Sequence, residues 1–167
     1  MSFDSLNLLL DKIISPRDAV DAVSAAPGAV VFTNGVFDIL HRGHVSYLAR
    51  ARSLGARLLV ALNTDDSVRR LGKRGDRPIN SLADRATVLA ALEAVDYVTS
   101  FDEDTPCRLL EHVRPHVYVK GGDYDIETLE ETRLVRSWGG EVYALPFIDG
   151  YSSTALIERL RSNPTPQ

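Results

Sequence analysis

Five short apolar segments, separated by stretches with helical periodicity, constrain the fold of this chain more than any other feature. The segments are Ala29–Thr33, Arg57–Asn63, Tyr97–Phe101, Val117–Lys120 and Glu141–Leu145. Strands buried on both faces read as nearly continuous apolar runs, which is typical of parallel sheets covered by helices on each side. Because such strands are joined by right-handed crossovers, the pattern predicts an α/β fold built on a doubly wound, five-stranded parallel sheet.

Helix start and stop signals occupy the intervals between these segments. Ser15-Pro16, Thr64, Ser81 and Thr105-Pro106 are typical of helix N-termini, because their side chains or fixed backbone suit a first turn. The predicted helices span about 6–13, 16 onward, 43–54, 65–70, 82–92, 107–113, 126–138 and 152–160. We therefore divide the chain into an N-terminal helical extension (1–27), a main domain (28–162) and a flexible tail (163–167).

Composition limits the classes of protein to which the chain can belong. Of its 167 residues, 44% are hydrophobic and 25% are charged, the balance of an ordinary globular domain. The apolar runs are far shorter than the ~18 residues of a membrane span, and the single cysteine, Cys107, cannot form an internal disulfide. A formal net charge of −4 lacks the basic excess of nucleic-acid binders. We expect a cytoplasmic protein that binds neither membrane nor nucleic acid.

Ligands of doubly wound sheets bind beyond the carboxyl ends of the strands, where the strand order reverses. In the loop after the first strand, His41 and His44 project from the same side of a helix start. The N–H groups and partial positive charge of that helix end complete a corner suited to phosphate. The alternative is that both histidines simply pack there. Structural zinc would need further ligands, whose usual spacing is absent.

Other candidate residues follow the later strands. The loop Gly150–Thr154 offers hydroxyls and N–H groups for a second anion, although a plain helix cap is the commoner role of such residues. Lys73 lies in a polar loop, where its ammonium could bind phosphate or simply be solvated. Lys120 ends an apolar strand, where an ammonium needs a phosphate or a carboxylate partner such as Asp123.

Four acidic or basic side chains lie in or next to the loops at this edge of the sheet. We interpret Asp38 as an acceptor for substrate hydroxyls, with an Asx turn as the alternative. Asp123 and Asp125 could bind hydroxyls or a metal ion, or serve only the loop. Arg85, early in its helix, could form a surface ion pair.

The motifs resemble those of the HxGH nucleotidyltransferases, the cytidylyltransferase-like superfamily with a Rossmann-like fold. The first motif is Gly35-x-Phe37-Asp38-x-x-His41-x-Gly43-His44, and the supporting stretches are 61–68, 75–80, 119–124 and 150–154. Within that superfamily the chain most resembles the heptose 1-phosphate adenylyltransferases, over roughly residues 28–160. The resemblance implies transfer of AMP from ATP to heptose 1-phosphate, which yields ADP-heptose and pyrophosphate for the lipopolysaccharide core.

The resemblance also implies roles for individual residues. The catalytic set is His41, His44, Lys73 and Lys120. The ATP-binding set is Thr33, Asn34, Gly35, Val36, Phe37, His41, Gly43, His44, Gly150, Tyr151, Ser152, Ser153 and Thr154. The sugar-phosphate set is Asp38, Asn63, Asp65, Arg77, Arg85, Gly121, Gly122 and Asp123. Mg²⁺ is expected with ATP, and no tightly bound organic cofactor or protein-held metal is expected.

Three other functions stay open at this stage. Glycerol-3-phosphate cytidylyltransferases have a similar histidine motif but carry an arginine before their final motif, where this chain has Phe147-Ile148-Asp149. Phosphopantetheine adenylyltransferases match in length, yet their first motif differs. A non-catalytic ATP-binding module would need only the histidine corner. For the favoured function we expect a homodimer or other homo-oligomer and a separate sugar kinase upstream in the pathway.

Overall fold

A computed structural model describes residues 4–72, 77–122, 125–146 and 157 of the chain. Its strands are β1 (Val30–Gly35), β2 (Arg57–Asn63), β3 (Tyr97–Phe101), β4 (Val117–Gly121) and β5 (Glu141–Leu145). Its helices are α1 (Asp4–Leu10), α2 (Pro16–Ser24), α3 (Arg42–Arg52), α4 (Asp65–Arg70), α5 (Leu82–Ala90), α6 (Cys107–Val113) and α7 (Glu130–Ser137), with a 3₁₀ turn at Ile126–Thr128.

The strands form one parallel sheet in the order β3-β2-β1-β4-β5. This confirms the predicted doubly wound topology. The order reverses between β1 and β4, where Val31 pairs with Val117 and Thr33 with Val119. The loops that follow β1 and β4 therefore diverge at this point and leave the crevice in which such folds bind ligands.

Two apolar layers enclose the sheet. Successive side chains of β1 enter opposite layers, so that Val31 packs in one cluster and Val30 and Phe32 in the other. The first layer includes Tyr47 of α3 and Leu89 of α5, and the second includes helices α2, α6 and α7. Both faces of the sheet are thus buried, as the continuous apolar runs of the strands predict.

Three of the predicted helix starts are confirmed by side-chain caps. The hydroxyls of Ser15, Thr64 and Ser81 accept hydrogen bonds from backbone N–H groups three residues later, at 3.1, 3.2 and 3.3 Å. The fourth predicted start is wrong in detail. Pro106 occupies the N-cap position of α6, and no side chain caps that helix.

Two predicted helices differ from the structure by about three residues or more at one end, for different reasons. The first ends at Leu10 because the next residues pair with β3: Ile13 bridges Val98, and the N–H of Ile14 donates to Val98 O at 2.8 Å. The helix expected over 126–138 is broken at Leu129, whose ψ of 136° is extended. The predicted last helix and tail lie outside the described residues except for residue 157, which is helical and buried. Within the described ranges, no helix is long and apolar enough to cross a membrane.

Candidate active site

The histidine pair lies at the carboxyl end of β1, beside the point where the strand order reverses. His41 is the N-cap residue of α3, and its imidazole stacks on that of His44 with 3.8 Å between ring centroids. Burial lowers the pKa of both rings, and the neighbouring His41 helps to lower the pKa of His44 to about 4. Both imidazoles are therefore neutral near pH 7. The predicted placement on one side of the first turn is confirmed.

Phe37 forms a wall of this histidine site. Its ring meets the His44 imidazole edge-on at 5.2 Å between centroids, and its backbone is left-handed with φ of 47°. The ring also covers Gly35 so closely that a Cβ atom there would lie 2.9 Å from Phe37 Cε2. Glycine at this position therefore allows the ring to reach its place against His44.

Asp38 joins the loop after β1 to the segment 77–80. Its side chain has no exposed surface and pairs with Arg77 Nε at 2.6 Å. Its carboxylate accepts hydrogen bonds from the N–H groups of Ile79 and Asn80, both at 2.9 Å, and the Asn80 amide donates to Asp38 O at 2.6 Å. These bonds are neither the predicted contact with substrate hydroxyls nor an Asx turn. They connect two loops that are distant in the sequence.

Arg85 forms a second link between the same loops. Its guanidinium donates to Val36 O at 2.8 Å, to Asn80 O at 3.1 Å and to Asn63 O at 2.9 Å. It also pairs with Asp65 at 2.6 Å, and its side chain is fully buried. The surface ion pair considered for Arg85 is thus wrong, because the pair is internal and the guanidinium is surrounded by carbonyl oxygens.

Lys120 finds its carboxylate partner on α7. Its ammonium lies 3.4 Å from Glu131 Oε1 and 3.3 Å from the Tyr118 hydroxyl, which donates to Asn34 Oδ1 at 2.8 Å. Burial, together with the Glu131 carboxylate, raises the pKa of Tyr118, so the hydroxyl keeps its proton. Sequence reasoning missed Glu131, although it precedes the buried Val135 by one helical turn and so shares its inward face.

Three further candidate residues form bonds within the fold. The hydroxyl of Thr33 is fully buried and bonds to Tyr47 and to Val119 O, so it offers no accessible side-chain atom to ATP. Asn63 donates to Ser67 Oγ at 3.0 Å. Asp125 caps the 3₁₀ turn by accepting from the N–H of Glu127, which is the loop role considered for it.

Several predicted site residues lie outside the described part of the chain. They are Lys73, Asp123 and the loop residues Gly150, Tyr151, Ser152, Ser153 and Thr154. Gly121 ends β4, and the N–H of Gly122 donates to Leu145 O at 2.9 Å. Over residues 4–72, 77–122 and 125–146, no three His, Cys, Asp or Glu side chains gather as a metal-binding cluster.

Comparisons with known proteins agree with this geometry. A family model described as cytidylyltransferase-like matches residues 32–159. The D-beta-D-heptose 1-phosphate adenylyltransferase of Bordetella bronchiseptica is 60% identical over 152 residues, covering 90% of this chain and 94% of that protein. The bifunctional protein HldE of Marinomonas sp. is 50% identical, covering 88% of this chain but 31% of its own length. The solved structure of a lipopolysaccharide core biosynthesis protein from Thermoplasma volcanium has a TM-score of 0.60 and 28% identity, covering 75% of this chain and 99% of that chain.

Proposed function

We propose that this chain, which belongs to the cytidylyltransferase-like family, transfers AMP from ATP to D-glycero-β-D-manno-heptose 1-phosphate. An oxygen of the sugar phosphate would form a bond to the α-phosphorus of ATP, and the bond between that phosphorus and the bridging oxygen of pyrophosphate would break. The products are ADP-heptose and pyrophosphate. The observation that carries this proposal is the 60% identity, over nearly the full length of both chains, to a protein named for adenylyl transfer to heptose 1-phosphate.

The histidine pair supports a mechanism that depends on positioning and charge. No protein nucleophile is required, because the acceptor phosphate attacks directly. His41 and His44 are neutral before ATP binds, so each can donate an N–H to a phosphate oxygen without repelling the other ring. The first N–H groups of α3 add a partial positive charge at the same place. We propose that these donors hold the α-phosphate and stabilise the charge that develops on it.

Cationic groups from two other loops would complete the ATP site. Lys120 ends β4 beside the crevice and retains partial exposure, which suits a contact with phosphate. We propose the same role for Lys73, which would reduce the repulsion between ATP and the incoming sugar phosphate. The hydroxyls and N–H groups of Gly150–Thr154 would bind the β- and γ-phosphates. Mg²⁺ is proposed as the ion that arrives with ATP, because it prefers phosphate oxygens and retains several waters.

The acceptor would approach along the edge formed by the loops after β2 and β4. Asp65 keeps a partly exposed carboxylate beside the buried Arg85. The carbonyl oxygen of Asn63 accepts a hydrogen bond from the same guanidinium. We propose that these residues, Arg77 and the backbone at Gly121 and Gly122 shape the pocket for the sugar phosphate. A phosphotransfer reaction at carbon 1 must supply this substrate. We place the protein in the cytoplasm, as a homo-oligomer whose product enters lipopolysaccharide core synthesis.

The direct experiment measures pyrophosphate release with Mg²⁺. ATP and CTP are each tested with heptose 1-phosphate and with glycerol 3-phosphate. Turnover with ATP and heptose 1-phosphate alone supports the proposal. Turnover only with CTP would move the protein to the cytidylyltransferases, and tight ATP binding without turnover in any pair would identify a non-catalytic binding module.

A further inference from the structure

The backbone of Phe37 is held in its left-handed conformation by contacts on both sides. A bulky residue adopts such a φ, here 47°, only where its surroundings determine it. On one side, Val36 O accepts from Arg85 Nη1 at 2.8 Å. On the other side, Asp38 accepts from the N–H groups of segment 77–80. The conformation of Phe37 is therefore imposed by its neighbours.

The position of the Phe37 ring affects His44 directly. The His44 imidazole contacts Phe37 edge-on, with 5.2 Å between ring centroids, and stacks on the titratable ring of His41 at 3.8 Å. The Phe37 ring in turn rests on the bare backbone of Gly35. A change in the backbone at Phe37 would move this wall and release the His44 ring from its orientation.

Asp38 is built to hold a loop and is poorly placed to bind a substrate. Its carboxylate is completely buried, and its oxygens face the Arg77 guanidinium and two backbone N–H groups. A hydroxyl of a bound sugar would have to displace one of these partners. Removal of the carboxylate would leave several buried donors without an acceptor, which disrupts local structure.

We propose that Asp38 is a positioning residue for the adenylyl transfer. By anchoring segment 77–80 it holds Phe37 in the left-handed conformation, and through the Phe37 ring it fixes the orientation of the His44 imidazole. The kinetic consequence of this inference rests on the proposed function, whereas its structural consequence does not.

The kinetic test uses Asp38→Asn, which keeps the side-chain volume but turns an NH₂ group towards the donors of Arg77 and the backbone. We expect kcat to fall roughly 10²-fold, the cost of a misplaced catalytic group, with little change in KM for heptose 1-phosphate. A raised KM with an unchanged kcat would show that Asp38 binds the sugar instead, and would overturn the proposal. Asp66→Asn is the matched control, because Asp66 is exposed on α4, and its kcat should equal that of the wild type.

A double-mutant cycle tests the route through Phe37. If Asp38 acts by holding this ring, Asp38→Asn should lower kcat little further once Phe37→Ala has removed the ring. The double variant should then resemble the slower of the two single variants. Multiplied effects of the two substitutions would show independent roles and overturn the proposed route.

The titration of His44, followed by NMR, gives a readout that requires no turnover. The wild-type pKa is about 4, and release of the ring in folded Asp38→Asn should raise it towards the ordinary value of ~6.5. An unchanged His44 titration would overturn the proposal. If Asp38→Asn does not fold, Arg77→Met removes the ion pair alone and should shift the pKa in the same direction by less. A wild-type protein without turnover would refute the proposed function, while this titration would still decide the role of Asp38.

Discussion

Two groups of polar residues at the same edge of the sheet differ in how their hydrogen-bonding groups are used. The Asp38–Arg85 cluster, which we define as Asp38, Asp65, Arg77 and Arg85, is buried except for part of Asp65 and a small part of Arg77, and its charges pair with each other and with backbone groups. In the histidine pair, His44 Nδ1 is buried and has no hydrogen-bond partner among the described residues. Arg77 Nε also makes no hydrogen bond of good geometry, but it lies 2.6 Å from an Asp38 carboxylate oxygen of opposite charge. Charges that are paired within the protein stabilise the fold, whereas a buried polar atom without a partner is suited to a ligand.

The difference is also electrostatic. The Asp38–Arg85 cluster contains two carboxylates and two guanidiniums in direct ion pairs, at 2.6 Å each. The histidine pair contains two rings whose pKa values are lowered by burial, so it carries no charge until an anion approaches. Substitutions in the cluster should therefore lower stability, and Asp38→Asn should also lower the rate through His44, whereas substitutions in the histidine pair should act mainly on rate.

The largest expected effect is that of Arg85→Met on stability. The change leaves Asp65 without its cation and three carbonyl oxygens without their donor. We expect the free energy of unfolding to fall by about 3–5 kcal/mol, the usual cost of breaking a buried pair, as measured by urea denaturation. Arg136→Met is the control, because its pair with Glu127 is exposed and its loss should not be measurable. Equal losses of stability in the two variants would show that the buried pair contributes no more to the fold than an exposed pair does.

His44→Asn should produce the reverse pattern. Loss of a donor to the reacting phosphate is expected to lower kcat by roughly 10²–10³-fold, measured as pyrophosphate release. The urea midpoint should fall by much less than in Arg85→Met, because the substitution breaks no ion pair and Nδ1 of the ring has no hydrogen-bond partner among the described residues. His112→Asn, on the exposed face of α6, serves as the control and should retain the wild-type rate. A loss of stability as large as that of Arg85→Met would remove the distinction between the two groups.

Lys120 is intermediate, because it has both a structural partner and a proposed substrate. Lys120→Met should lower kcat and also cost about 1–3 kcal/mol of stability, because it removes the cation that faces the buried Glu131 carboxylate. Adding Glu131→Gln should restore much of the stability but not the rate. If the double variant recovered activity, Lys120 would be a purely structural residue.

The last expected effect is a pH dependence of stability. His44 titrates near pH 6.5 when unfolded and near 4 when folded, so the unfolded chain binds more protons between these values. The contribution of His44 therefore makes the fold less stable as the pH falls from about 6.5 towards 4. Thermal unfolding of the wild type and His44→Asn should show a smaller acid-induced decrease of Tm in the variant. Parallel decreases would mean that the His44 pKa is not lowered in the fold.

The sequence predicts features that depend on local pattern. The bounds of β2, β3 and β5 agree with the prediction, because each apolar run is bounded by polar or turn-forming residues. The placement of His41 and His44 also follows from local spacing and the topology of the sheet. The motif resemblance is confirmed by the family match over residues 32–159.

Features that depend on distant partners were not predictable in the same way. The burial of Arg85 requires carbonyl oxygens from residues 36, 63 and 80, which no local pattern brings together. Glu131 is an ordinary helical acid until β4 places Lys120 beside it. The early end of α1 likewise depends on pairing with β3, which overrides the helical periodicity of the segment.

That pairing has a consequence for how the protein avoids strand pairing between chains. β3 is an edge strand of the sheet, and unpaired N–H and C=O groups on such an edge can template pairing with other chains. Both backbone groups of Val98 are instead bonded within the molecule, to Lys12 O and to the N–H of Ile14, each at 2.8 Å. The ammonium of Lys12 secures this cover by donating to Val95 O at 2.8 Å. The short stretch before α2 therefore protects the edge against intermolecular sheet growth, a role separate from catalysis.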